Sequence, residues 1–174
     1  MLRAAATSPA SPVIPFDIVV LGHEERHLRR RVLTLQHGDE VLVDLPRAVA
    51  LAHGERLVLD DGRHVEVIAA EEPLHEIRAT SAGHLLAIAW HIGNRHLPAQ
   101  IENERILIAR DHVIAEMLRG LGAVVVDILE PFEPERGAYH RHAEGHAHTP
   151  HVEHDRTHHA HDHAHDHAPS IERS

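Results

Sequence analysis

Residues 77–94 read IRATSAGHLLAIAWHIGN, which predicts a short strand followed by a helix. Apolar residues recur at i, i+3, i+4 and i+7 from Leu85 to Ile92, the spacing that places side chains on one face of an amphipathic helix. Ser81 is predicted to cap the start of this helix, because its side chain can accept a hydrogen bond from a free N–H group of the first turn. Gly93-Asn94 predicts a left-handed turn at the end of the helix.

The residues that follow extend this strand–helix pattern. Short strands are predicted near residues 99–101 and 105–108, and a last strand over residues 123–129. Before the last strand, Asp111 can cap a second helix, which Gly122 ends. The resulting order, β-α-β-β-α-β, is the split-βαβ or ferredoxin-like arrangement.

The preceding half of the chain has the pattern of an all-β domain. Short apolar stretches bounded by turn residues predict strands over residues 16–21, 28–35, 40–45, 57–60 and 63–67. Asp61-Gly62, which lies between the last two, favours a tight hairpin. Strands at this spacing are typical of a small β-barrel or sandwich.

The sequence therefore predicts an α+β protein with four parts. These are a flexible arm over residues 1–12, a β-rich domain over 13–74, a ferredoxin-like domain over 75–134 and a disordered His-rich tail over 135–174. The tail has almost no apolar side chain larger than that of Ala. It is expected to be disordered without metal, because so little buried surface cannot offset the entropy lost on ordering.

Charge and hydropathy exclude several classes of partner. The chain has 17 basic and 27 acidic residues, a net charge of −10, and every basic residue is Arg. This balance argues against a nucleic-acid partner, which needs a basic face, and the run Arg29–Arg31 is interpreted as a solvated strand edge. No apolar run approaches the ~20 residues of a membrane span, and the N-terminus lacks the apolar core of a signal peptide. A cytoplasmic protein is expected.

Cysteine is absent from the sequence. Disulfides, thiolate zinc sites and thiol catalysis are therefore excluded. Any metal site must use nitrogen and oxygen ligands, which favours Ni(II), Zn(II), Cu(II) or Co(II) over Cu(I).

Histidine is concentrated in the tail, which holds more than half of the 22 histidines. They are His140, His142, His146, His148, His151, His154, His158, His159, His161, His163, His165 and His167. Neutral imidazole is the commonest metal-binding side chain. Because the tail imposes no geometry, we expect it to bind several ions weakly and with fast exchange. Its irregular spacing argues against an affinity tag.

His96 is the first candidate for a structured metal site. It follows the predicted helix end and precedes Pro98, so we expect an exposed, stiffened loop. One His cannot form a site alone, since structural and transfer sites need about four donors. A two-fold dimer axis near His96 would supply the same residue twice, with the tails completing the shell.

Three further histidines lie on the predicted helices. His84 and His91 are seven residues apart, about 10 Å along the helix axis, so they cannot share an ion and are interpreted as packing or polar-face residues. His112 falls in the first turn of the second helix, beside Asp111, where the helix field favours the neutral, ligating imidazole. For His112, a ligand role and a role as an ordinary exposed helix residue remain equally open.

Several of these features together resemble the UreE family of urease accessory proteins, which are nickel metallochaperones. They are the domain order, the stretch His91–Pro98 with its Gly-Asn-Arg-His segment, the helix start Asp111–Val113 with Met117-Leu118, and the His-rich C-terminus. The resemblance implies that His96 binds nickel at a homodimer interface. Some members have a second His two positions before His112, but Arg110 stands there in this chain, which weakens His112 as a candidate.

The resemblance also implies partners for the chain. They are a second copy of the chain, the urease apoprotein complex and the accessory GTPase UreG, with the N-terminal domain as a peptide-binding-like docking module. No membrane partner is expected. Nickel is the expected metal, with zinc or copper as substitutes in vitro.

Nickel delivery to urease is the leading functional hypothesis, and the chain is not expected to be an enzyme. It shows no paired carboxylates with a pocket pattern, no phosphate-binding loop and no nucleophile motif. The alternative is a general nickel or zinc storage or buffering protein, in which the fold merely carries the tail. A metal-dependent hydrolase would need an open coordination position beside a general base.

Overall fold

A computed structural model of the chain describes residues 1–136. The strands are β1 Leu2–Ser8, β2 Asp17–Leu21, β3 His27–Thr34, β4 Glu40–Ala50, β5 Arg56–Leu59, β6 His64–Ala69, β7 Glu71–Arg78, β8 Gln100–Ile101, β9 Ile106–Ala109 and β10 Val124–Pro131. The helices are α1 Ala82–Gly93, α2 His112–Gly120 and a short 3-10 helix, Glu24–Arg26. In this part of the chain, neither α-helix is long and apolar enough to cross a membrane. The mostly-β content with two helices confirms the predicted α+β class.

The N-terminal half forms one six-stranded sheet in the order β2-β6-β5-β1-β4-β3. Inward side chains from all six strands, such as Val19, Val65 and Val43, belong to one buried cluster, so the sheet wraps around a single core. The predicted hairpin is present between β5 and β6, where Gly62 has a φ of +83° that a glycine adopts without strain.

Strand β1 contradicts the flexible arm predicted for residues 1–12. It lies inside the sheet, parallel to β4 and antiparallel to β5, and the side chain of Ala4 is fully buried. The stretch is rich in Ala and lacks a clear alternating pattern, so its strand conformation depends on partners distant in sequence.

The second sheet has the order β10-β7-β9-β8, with every neighbouring pair antiparallel. Both helices pack on one face, where Ile77 of β7, Ile88 of α1 and Leu118 of α2 share a buried cluster. This topology is the predicted ferredoxin-like arrangement. Strand β7 begins at Glu71, so the predicted domain boundary after residue 74 falls inside a strand.

The helix-free face of the second sheet packs on the segment that follows β10. Phe132 is 2% exposed and shares a cluster with Leu74 and Leu107. Its carbonyl accepts a hydrogen bond from the buried guanidinium of Arg26, which also forms a 2.9 Å ion pair with Glu133. The chain after β10 is therefore held in place as far as residue 133.

Candidate metal centre

Helix α1 leads into the loop that carries His96. The Ser81 side chain accepts a hydrogen bond from the backbone N–H of His84 at 3.2 Å, as the predicted N-cap should. Leu85, Ile88 and Ile92 face the core, whereas Leu86 and Trp90 are 72% and 64% exposed. Leu86 and Trp90 are four residues apart, so they share one outward face of the helix.

The left-handed residue that follows α1 is His96, and not Gly93 or Asn94 as predicted. Asn94 has a right-handed φ of −63°, whereas His96 has a φ of +55°. The backbone N–H of His96 donates to the carbonyl of Gly93 at 2.9 Å, which closes a final turn. Residues 93–96 therefore continue the helical path before the chain reverses at His96.

His96 combines an exposed side chain with a backbone conformation that glycine adopts more easily. A left-handed conformation costs a residue with a Cβ roughly 1–2 kcal/mol, although His tolerates it better than bulkier residues. Strained backbone at an exposed loop is an indication of a functional side chain. The imidazole of His96 is thus held on a defined turn. Among the described residues, it has no partner whose contact would explain a histidine at this position.

His84 and His91 are occupied by structural contacts, as the sequence predicts. The Nε2 atom of His84 lies 2.9 Å from the carbonyl oxygen of Leu121, and its Nδ1 atom lies 3.1 Å from the hydroxyl of Thr80. His84 thereby joins the start of α1 to the end of α2. The ring of His91 is half-buried and stands edge-on to Trp90, with 5.0 Å between the ring centroids.

His112 is exposed in the first turn of α2, directly after the cap Asp111. The Asp111 carboxylate accepts hydrogen bonds from the backbone N–H groups of Ile114 at 3.1 Å and Val113 at 2.8 Å. These bonds, that of Ile114 foremost, hold the pKa of Asp111 below its ordinary value. The carboxylate is therefore committed to the helix cap.

The side chain of Arg110 is held by contacts with the second sheet and does not act as a metal ligand. Its Nη2 atom donates to the carbonyl of Ile128 at 3.2 Å, its Nε atom to that of Leu74 at 3.4 Å, and Nε lies 3.7 Å from the Asp127 carboxylate. The position two residues before His112, where the resemblance implied a possible second His, thus holds a structural cation here. His112 has no neighbouring His on this turn.

The sequence reasoning passed over His75, which is buried at 6% exposure on β7. Its Nδ1 atom lies 2.8 Å from an Asp127 carboxylate oxygen, but neither ring nitrogen has a well-aligned hydrogen-bond partner in the described part of the chain. The sequence did contain a signal for this burial. His75 lies two residues before the inward-facing Ile77, and residues two apart in a strand face the same side of the sheet.

Within residues 1–136, no three His, Asp or Glu side chains are grouped closely enough to hold one ion. His96 follows α1 and His112 begins α2, so the two candidates lie on separate elements. The twelve histidines predicted as tail ligands, from His140 to His167, lie outside the described residues. Any further donors to His96 must come from elsewhere in the chain or from another molecule.

Comparison with protein families gives two adjoining matches. Residues 2–70 match the UreE urease accessory protein, N-terminal domain, and residues 72–168 match the UreE urease accessory protein, C-terminal domain. The chain belongs to the UreE family. It is therefore an accessory protein of urease maturation and not an enzyme.

Individual UreE proteins are similar along most of the chain. The urease accessory protein UreE of Mesorhizobium japonicum is 60% identical over 136 residues, which cover 78% of this chain and 68% of that protein. The UreE of Agrobacterium fabrum is 55% identical over 150 residues, covering 85% and 92% of the two chains. The UreE 1 of Brucella suis is 54% identical over 142 residues, covering 80% and 88%.

Proposed function

We propose that this chain is a nickel metallochaperone that binds Ni(II) and delivers it to the urease apoprotein in the cytoplasm, with the GTPase UreG as a partner. The observation that carries the proposal is His96, an exposed imidazole held on a left-handed turn in a member of the UreE family. Imidazole nitrogen suits Ni(II), and zinc or copper would bind the same donors in vitro.

The exposed face of α1 supports a homodimer with His96 near its axis. Leu86 and Trp90 leave a large apolar surface uncovered, and aromatic residues are enriched at the centres of protein interfaces. In a two-fold dimer the same face meets its own copy. A residue near the axis then meets its counterpart, so two His96 imidazoles can share one ion.

The His-rich tail would collect nickel and complete the shell. The backbone N–H of Glu135 donates to the carbonyl of Ala99 at 2.9 Å, and Ala99 is three residues from His96 in the sequence. The described part of the chain therefore ends near the loop that carries His96. A random-coil segment of ~27 residues spans roughly 30 Å. This reach lets tail histidines arrive at the shared site with a high effective concentration.

Exposure of His96 suits transfer of the ion. Closed four-ligand sites serve structural roles, whereas a site with an open coordination position can accept an incoming ligand. An imidazole on the surface can pass its ion directly to donors of an incoming protein. We assign no ion to His112, because Arg110 and Asp111 are committed to structural contacts.

Activation of urease apoprotein with limiting nickel tests this function. The intact chain should accelerate activation, and His96→Ala should remove most of the acceleration, because the transfer site is lost. His27→Ala is a matched control, since His27 is exposed on β3, in the N-terminal sheet. Equal acceleration by His96→Ala and the intact chain would contradict a delivery role for His96.

The alternative of a nickel or zinc buffer makes the opposite prediction for tail removal. A chain ending before His140 keeps every described residue and should retain about one tight ion per dimer together with much of its activating effect. A buffer would lose essentially all binding with the tail. The buffer reading is favoured if the shortened chain neither binds nickel nor accelerates activation.

A further inference from the structure

The helix-free face of the second sheet is covered only in part. Phe132 packs on the region that includes Leu74, and Ile128 of β10 packs against the same cluster. Val126 and Val124 lie two and four residues before Ile128, so their side chains point to the same face. They are 47% and 59% exposed. Two apolar side chains of this face are therefore open to solvent in the described part of the chain.

Charged side chains border the two valines on the same face. In the register of β7 and β10, Val126 is paired with Glu76 and Val124 with Arg78. Directly paired residues of neighbouring strands place their side chains on one side of the sheet. Glu76 also accepts a hydrogen bond from Arg105 of the β8–β9 connection at 2.8 Å. The apolar pair therefore adjoins the ion pairs of Arg105.

This charged group carries more negative than positive charge. Arg105 also pairs with Glu102 at 2.7 Å and with Glu130 at 2.9 Å. Glu104, which lies between β8 and β9, is exposed and forms no ion pair within residues 1–136. Four carboxylates against two guanidinium groups give a net charge of −2; the group consists of Glu76, Glu102, Glu104, Glu130, Arg78 and Arg105.

A cavity of about 620 Å³ opens beside this group. Its walls are formed by Arg78, Glu102, Asn103, Glu104 and Arg105. A cationic side chain that entered it would meet the carboxylate of Glu104, which has no ion-pair partner in the described residues. We name the two valines and the six charged residues the acidic face.

We propose that the acidic face binds a basic segment of a partner protein. A Lys or Arg side chain of the segment occupies the cavity beside Glu104, and an apolar side chain next to it contacts Val126 and Val124. The proposal goes beyond nickel delivery. Both helices lie on the opposite side of this sheet, so a dimer formed through α1 leaves the acidic face free.

Charge and ligand geometry disfavour other occupants. A nucleic acid, or a second copy of the chain meeting this face with its own, would bring negative charge against negative charge. Residues 137–174 of the chain hold six acidic and three basic residues, so they do not match either. A divalent cation alone is disfavoured, because residues 1–136 contain no group of three acidic or histidine side chains that could hold it.

Binding of a labelled octapeptide that alternates Lys and Val, measured by fluorescence anisotropy with the full chain, tests the proposal. Binding should saturate and weaken as salt is raised. Glu104→Lys should weaken it by at least about fivefold, because an attractive charge becomes repulsive. The control Glu116→Lys makes the same change on an exposed residue of α2 and should have little effect. If Glu104→Lys does not fold, Glu104→Gln replaces it and should weaken binding by about twofold.

A second pair of variants tests the apolar contact. Val126→Ser should weaken binding by about threefold, because apolar area is no longer removed from water. Val113→Ser changes a similarly exposed valine of α2 and should have little effect. Absence of saturable binding, or equal losses in the control variants, would overturn the proposal. Binding that survives Glu104→Lys would belong to another part of the chain and would overturn it as well. A loss in Glu104→Lys without one in Val126→Ser would show a site for a cation alone and overturn a protein segment as occupant.

Discussion

His96 is the residue at which backbone conformation and side-chain chemistry conflict. Its φ of +55° suits glycine, and within residues 1–136 its exposed imidazole forms no hydrogen bond or ion pair that stabilises the turn. A residue with a Cβ is retained there at a cost of roughly 1–2 kcal/mol. We propose that a ligand role, and not folding, accounts for a His at this position.

Replacing His96 by Gly should separate stability from metal binding. His96→Gly should unfold at a higher denaturant concentration than the original chain. Its free energy of unfolding should be larger by up to about 1 kcal/mol, because backbone strain is relieved. His96→Ala keeps the Cβ and should not be stabilised. Both variants should lose tight nickel binding. If His96→Gly proved clearly less stable than the original chain in urea, the imidazole would have a structural contact and this reading would fail.

Arg110 stands two residues before His112, where a second His would be needed for the two to bind one metal ion. Arg110→His should create a two-His turn with His112 and raise nickel stoichiometry by about one ion per chain in the tail-less protein. It should also slightly lower stability, since the hydrogen bonds to Leu74 and Ile128 are lost. Arg119→His, at the far end of α2, is the control and should add no ion. If calorimetry showed no gain in nickel stoichiometry for Arg110→His, the His112 side chain would be too far from position 110 to share an ion with it.

Arg105 links three carboxylates and predicts an acid-sensitive contribution to stability. It binds Glu130, Glu102 and Glu76, and hydrogen bonds from Arg78 and Arg105 hold the pKa of Glu76 below its ordinary value near 4.5. A lowered folded-state pKa stabilises the fold above the ordinary value, and this stabilisation is lost as pH falls through the folded pKa.

Arg105→Gln should therefore destabilise the protein by about 1–3 kcal/mol at pH 7 and by less at an acid pH below the lowered folded-state pKa of Glu76, where that carboxyl is protonated in both proteins. Thermal unfolding across this range measures the difference. Arg3→Gln removes an exposed ion pair and should lose under about 1 kcal/mol. A destabilisation by Arg105→Gln that is the same at both pH values would show that charge is not its cause.

The end of α2 depends on Gly122, which has a φ of +85° and lies near the ring of His84. Gly122→Ala should lower the free energy of unfolding by about 1–2 kcal/mol, because alanine resists this conformation. Gly120→Ala is the matched control within the helix, where an added Cβ meets nothing, and should be neutral or stabilising. Equal effects of the two changes in urea unfolding would refute a left-handed helix end at residue 122.

Elements with a local signal could be predicted from sequence, and others could not. Helix α1 was fixed by its apolar spacing and by Ser81, and α2 by Asp111 and Gly122, because caps and turns depend on neighbouring residues. Strand β1 escaped because its conformation depends on β4 and β5. The end of α1 at Gly93 was predicted correctly, but the left-handed conformation was expected at Gly93-Asn94, whereas His96 adopts it.

The candidate site was predictable only in part for a related reason. A short motif was enough to single out His96, and the described structure holds it on an exposed turn. The remaining donors could not be assigned, because the described residues offer no group of three ligands. The spacing of residues in one sequence predicts local structure, but it does not show which donors a second copy of the chain would supply.

At the scale of the whole molecule, the proposed dimer depends on the exposed face of α1. Trp90→Glu should weaken dimerisation by at least about 30-fold, since a buried aromatic residue at an interface contributes 2 kcal/mol or more. Val124→Glu, on an equally exposed apolar residue of β10, is the control. Light scattering during size exclusion measures both. A dimer that survives Trp90→Glu would place the interface elsewhere.

Nickel titration of the chain ending before His140, with the mass of the complex followed at each step, tests the shared His96 site most directly. We predict about one tightly bound ion per two chains, lost in His96→Ala and lost in monomeric Trp90→Glu although His96 is intact. The full-length His96→Ala chain should retain only weak, multiple binding by the tail. A tight step that survives His96→Ala, or one ion bound tightly by each separate monomer, would contradict the shared site.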